Sequence, residues 1–154
     1  MLRVAQRLAE RARKQGLMVV HLQNDGLPGS VDAVGTPGWQ LAMEPSREDF
    51  VVRKAVDDGF EGTTLAEVLG GGGVDRLVIA GVLSEMCVAG TARSALARGF
   101  EVWLPHDAHA TYDTPSAEWH PNIVPAEAVS RVAEWSLGDE IHLVAHAEQV
   151  DLSS

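Results

Sequence analysis

The sequence predicts an α/β fold, a three-layer α/β/α sandwich around a mostly parallel, Rossmann-like sheet of five visible strands. Three observations lead there. Short apolar runs alternate with helix-period segments along the whole chain, the order expected when crossover helices join parallel strands. Those runs are nearly continuously apolar, as strands covered on both faces are, rather than alternating with polar residues. The chain has 154 residues, 45% of them apolar, which suits one domain with one core.

The elements follow in order. Val4, Leu8 and Ala12 recur at four-residue spacing and Gly16 stops them, which predicts an amphipathic surface helix. Arg3, Arg7, Arg11, Arg13 and Lys14 give this start the look of a transit peptide, but the apolar face and its stop favour a helix of the fold. Residues 17–22 form a buried strand closed by a turn at 23–26. Residues 27–49 are broken up by Pro28, Gly29, Gly35, Pro37, Gly38 and Pro45, so a long loop anchored by Trp39 and Leu41 is expected, and loops of this length are often functional. A second strand covers 50–55. Thr64-Leu65-Ala66-Glu67 fits a capping box opening a short helix that ends at Gly70 to Gly73. The third strand, 77–82, leads to Ser84 as the N-cap of a helix reaching about Arg98 and stopped by Gly99. Residues 100–104 are the fourth strand, followed by a polar loop over 105–121. Pro125 opens the last helix, with Val129, Val132 and Trp135 on one face, and residues 141–145 supply the fifth strand.

Charge narrows the partners. Twelve Lys and Arg stand against 22 Asp and Glu, and the net charge of −10 repels phosphate backbones and anionic headgroups. A small molecule is the expected partner, with no nucleic acid and no membrane. One cysteine cannot build an intramolecular disulfide, and no apolar stretch approaches the roughly 18 residues of a membrane span, so a cytoplasmic location is expected.

Cys87 falls three residues after Ser84, in the first turn of a predicted helix, where the positive helix end favours thiolate, the nucleophilic form. Its other reading is a small buried core residue. Ser84 lacks the second glycine of a nucleophile elbow, and N-capping accounts for it. Lys54 closes the second strand, so its ammonium would stand at the carboxyl edge of the sheet, where it would stabilise a thiolate or an oxyanion. The alternative is a stem lying on apolar surface with its head in water. His106 and His109 flank Asp107 but match no zinc signature, and the glycines at 70–73 are followed by no Lys-Ser or Lys-Thr, so they form a turn rather than a phosphate loop.

These residues resemble the isochorismatase-like cysteine hydrolases, which include nicotinamidases and related amide and lactam hydrolases. The resemblance runs through Val51-Val52-Arg53-Lys54, Phe60-Glu61-Gly62-Thr63-Thr64-Leu65, Val78 to Val88, Thr91-Ala92-Arg93 and Asp107-Ala108. The stretch from Val129 to Glu140 is most similar to the branch of streptothricin-type lactam hydrolases. The resemblance implies a single domain over 1–154 with Cys87 as nucleophile and Lys54 as catalytic lysine. It also implies a cis peptide between Val82 and Leu83, oxyanion contacts from the Leu83 and Cys87 amides, and Phe60 and Trp39 in the pocket wall. A homodimer or larger assembly is implied as well. The nicotinamidase branch holds a metal through an Asp-x-His pattern where this chain reads Gln23-Asn24-Asp25-Gly26, so no metal and no cofactor are expected.

The resemblance has one break. The family's third catalytic residue is an aspartate on a central first strand, and nothing here matches it, because residues 1–154 start inside the helix that follows that strand. Asp25, Glu85 or Asp107 could replace it only if geometry allows. Without the strand, the 17–22 and 77–82 strands would present unpaired edges, unless they close up, another segment fills the gap, or the natural protein starts further upstream. An impaired, non-catalytic member with a binding or scaffold role is therefore the alternative to a working hydrolase.

Overall fold

A computed structural model describes residues 1–153. Helix α1 (Leu2–Lys14) comes first and buries Ala5, Leu8 and Ala9. Gly16, at φ +71°, turns the chain as a left-handed residue after it. Strands β1 (Val20–Asn24) and β2 (Phe50–Lys54) pair in parallel across the long loop, whose one regular piece is a 3-10 turn at Pro37–Trp39. Helix α2 (Leu65–Gly71) precedes β3 (Arg76–Val78) and the short β4 (Gly81–Val82). A π-helical turn at Ser84–Val88 runs into α3 (Ala89–Ala97). Then come β5 (Glu101–Pro105), a 3-10 turn at His106–Ala108, β6 (His109–Ala110), α4 (Ala126–Trp135) and β7 (His142–Val144).

Every ladder is parallel: β1 with β2, β3 with β5, β5 with β7, and β4 with β6. Successive side chains of a strand point to opposite faces, and β5 shows the three layers directly. Val102 and Leu104 enter the core built by α2 and α3 with Val52, Phe60, Leu65, Leu69 and Ala92. Trp103 packs on the opposite side with Leu8 of α1, Ala108, Ala147, Val150 and Leu152. Arg11 of α1 ties this second layer down by donating to the Ala147 and Val150 carbonyls at 2.8 and 2.9 Å. The α/β sandwich is thus present. Among the described residues no helix is long and apolar enough to cross a membrane.

Five expectations need correction. The first strand starts at Val20 and runs through Asn24, so it takes in two residues expected in the turn. The third strand is two pieces, because Ile79 and Ala80 break the ladder between β3 and β4. Thr64 makes no side-chain cap; Thr63 works instead, donating to the Gly59 carbonyl at 2.6 Å and accepting the Leu65 amide at 3.2 Å. Ser84 does not cap either, since its hydroxyl is turned inward to other partners. On α4 the apolar face is the wet one: Val132 and Trp135 are 60% and 76% exposed, while Ser130, Ala133 and Glu134 are buried. Polar partners awaiting Ser130 and Glu134 inside outweigh the apolar stripe.

The ladders form three separate groups rather than one sheet. Between β1 and β3 lies an open cavity of about 1020 Å³, lined by Met18, Val20 and Leu22 on one side and Leu77, Ile79 and Val82 on the other. The two strands therefore stay apart instead of closing up. The chain crosses beside this gap on an ionic clamp. Asp49 takes two bonds from Arg13, at 3.0 and 2.5 Å, one from the Ser46 amide at 2.9 Å and a contact at 2.9 Å with His21.

Arg13 above all, with Ser46 and His21, holds the Asp49 carboxyl well below the usual carboxylate range. A carboxyl depressed in the folded state stabilises the protein above its unfolded value near 4 and stops doing so as pH falls through the folded value. Urea unfolding should therefore show stability present at pH 7 and eroding below about pH 4. Asp49→Asn should flatten that acid limb and cost about 1–3 kcal/mol at neutral pH. An acid limb unchanged by the substitution would show that Asp49 carries none of it.

Candidate active site

Lys54 is the last residue of β2 and points inward, 5% exposed, while its neighbour Arg53 points out and pairs with Asp25 at 2.8 Å. The alternation of a strand puts the two cations on opposite faces. The Lys54 ammonium donates to Asn24 Oδ1 and the Val56 carbonyl, both at 3.0 Å, and to Cys87 Sγ at 3.1 Å. All three donor positions of Lys54 are used, so its head is fixed rather than mobile.

Cys87 sits in the π-helical turn that follows the cis Val82–Leu83 peptide. Its sulfur is also 3.5 Å from Asp57 Oδ1, to which a thiol can donate. Thiol, ammonium and carboxylate thus meet at the carboxyl end of the strands, and both Cys87 and Lys54 open onto the cavity between β1 and β3. Asp57 is brought in by helix packing. Gly90 lets α3 approach the backbone of Asp57, where a Cβ on Gly90 would stand 3.3 Å from the Asp57 carbonyl carbon. Thr91 fastens the same segment, accepting the Gly59 amide at 2.9 Å.

The other carboxylates are engaged elsewhere. Asp25 accepts from Arg53 and from the Trp39 indole at 2.8 Å; Glu85 accepts from Thr111 at 2.9 Å through Oε1, its Oε2 being buried without a hydrogen-bond partner among the described residues; Asp107 caps the Ala147 amide at 2.8 Å. Trp39 lies on the site's outer side, under the Arg53 guanidinium at 5.3 Å, and Phe60 is a core residue beside Phe100 with Arg98 over its ring. Leu83 contributes its carbonyl to the Met86 and Val88 amides, which shapes the turn.

Behind that turn runs a buried polar chain. The Ser84 hydroxyl meets His109 Nδ1 at 2.8 Å and Ser130 at 3.0 Å, and His109 Nε2 meets Glu134 Oε1 at 3.1 Å. Burial pushes the His109 imidazole toward its neutral form, against the pull of Glu134. Sequence spacing could not show this, because Glu134 is 25 residues from His109 and on the helix face that looked polar. Asp57 had a fainter signal, a carboxylate three residues beyond the strand-end lysine.

A parallel α/β/α sandwich with reactive side chains gathered beyond the carboxyl ends of its strands defines a class, the open α/β proteins that bind ligands at that edge. Within it, the chain belongs to the isochorismatase family, whose isochorismatase domain matches residues 1–129. It is 56% identical over 155 residues to a streptothricin hydrolase of Streptomyces noursei, covering 99% of this chain and 62% of that one. A second streptothricin hydrolase of the same organism is 57% identical over 145 residues, covering 93% of this chain and 52% of the other. The chain thus spans 62% and 52% of the length of these two relatives. A cysteine hydrolase from Pseudomonas syringae superposes with a TM-score of 0.83 at 26% identity, over 95% of this chain and 77% of that one.

Proposed function

We propose that the protein hydrolyses a carbon–nitrogen bond in a small amide or lactam through a covalent intermediate on Cys87. The observation that carries this reading is the contact of one sulfur with the Lys54 ammonium at 3.1 Å and the Asp57 carboxylate at 3.5 Å. Asp57 accepts the thiol proton and Lys54 stabilises the thiolate left behind. The sulfur attacks the carbonyl carbon, and the tetrahedral intermediate expels the nitrogen as the proton returns from Asp57 to it. The resulting thioester is then cleaved by water, releasing a carboxylic acid and regenerating the thiol. One amide and one water become one acid and one amine.

The streptothricin hydrolases at 56% and 57% identity supply the substrate to try first, and the cysteine hydrolase neighbour agrees with a sulfur nucleophile. The decisive experiment incubates the 154-residue chain with streptothricin and follows both the substrate mass and the protein mass after acid quench. Gain of one water by the substrate, with a transient adduct on Cys87, is the expected result. A second reading, ligand binding without turnover, is favoured by the gap beside β1. Saturable binding with neither mass change would select it.

A further inference from the structure

We propose that His106, His109 and Glu134 form a binding site for a divalent transition metal, with zinc the best fit. Their ligating atoms lie within 4.8 Å of one another. His106 Nδ1 and His109 Nε2 converge on the same carboxylate oxygen, Glu134 Oε1, at 2.5 and 3.1 Å. Ligands held about 2.0–2.2 Å from a tetrahedral zinc are roughly 3.3 Å apart, so the half-exposed His106 imidazole would draw back from Oε1 while the two ligating nitrogens, no more than 4.8 Å apart, settle toward that separation. Two imidazoles and one carboxylate are a donor set zinc accepts, and they leave a fourth position for water.

The surroundings are those of a metal site. A ligating imidazole needs its other nitrogen fixed by a hydrogen bond, and His109 Nδ1 faces the Ser84 hydroxyl at 2.8 Å, which passes on to Ser130 at 3.0 Å. Arg131 approaches the other carboxylate oxygen, Oε2, at 3.4 Å and leaves Oε1 to the ion. The side chains of His109 and Glu134 are 0% and 5% exposed, while that of His106 is 50% exposed and gives the ion its way in. The three ligands come from the turn after β5, from β6 and from α4, so the ion would clip those segments together. Through Ser84 it would also brace the turn that carries Cys87, three residues on.

The test uses the full chain carrying Cys87→Ala, which removes the thiol as a competing ligand. Cobalt and zinc titrations, followed by visible absorption and native mass spectrometry, should give one ion per chain with a four-coordinate cobalt spectrum. His106→Ala changes a half-exposed residue and leaves the buried chain in place; deleting a ligand outright should weaken binding by more than the roughly 10- to 100-fold that loss of an outer-shell partner costs. Zinc should raise the thermal midpoint of the parent and not of the His106→Ala protein. Absence of a one-to-one complex, or equal affinity in His106→Ala, would overturn the site and leave the cluster as a hydrogen-bonded brace.

Discussion

Cys87→Ala is expected to lower amide hydrolysis by about 10⁴-fold or more, because it removes the atom that forms the covalent bond, and loss of a nucleophile alone costs about as much as loss of the whole catalytic set. Folding should survive. Cys87 is partly exposed, so the substitution opens no sealed cavity in the core. Cys87→Ser keeps a polar partner for Lys54 and should also fold, yet a hydroxyl is the poorer nucleophile and little turnover should remain. Adduct counting by mass spectrometry with an amide-directed electrophile completes the comparison: one adduct on the parent and none on either variant. Equal turnover in Cys87→Ala would remove the sulfur from the reaction.

Lys54→Met should have the next largest effect, a loss of about 10²–10³-fold in kcat/KM, the size found when one preorganised donor to a developing negative charge is removed. Methionine keeps the apolar stem while deleting the charge, so the change reports the ammonium. It leaves Asn24 Oδ1 and the Val56 carbonyl without their donor, which costs about 1–3 kcal/mol of stability and should appear in the urea midpoint. Iodoacetamide labelling at fixed pH separates the two consequences. A slower rate on a folded protein means that the ammonium was supporting the thiolate. An unchanged rate, with unchanged turnover, would detach Lys54 from Cys87.

The pair itself was legible in the sequence because each member stands at a position that local rules define, one at a strand end and one in the turn after a strand. The existence of the strands was legible from their nearly continuous apolar runs, but the burial on both faces those runs suggest fails on β2, where Phe50 and Val51 are exposed. Asp57 was not, because its place beside the sulfur depends on how closely α3 approaches its backbone, and that depends on Gly90. Ser84 and the α4 face were misjudged on one shared ground. Rules for caps and amphipathic stripes assume that polar groups seek water, whereas Ser84, His109, Ser130 and Glu134 satisfy one another inside. No periodicity marks a buried polar chain assembled from residues far apart in sequence.

The gap between β1 and β3 also governs how the backbone breathes. Amides of β1 that donate toward β2 and of β3 that donate toward β5 are held in ladders, whereas their alternate neighbours face the gap. Deuterium should therefore enter these strands in a two-residue rhythm, fast at gap-facing amides and slow at laddered ones, with β5, paired on both sides, the slowest of all. The proposed catalytic pair spans this divide, Lys54 on one half and Cys87 on the other. The proposed chemistry needs their 3.1 Å contact, and so needs the two halves held together across the gap.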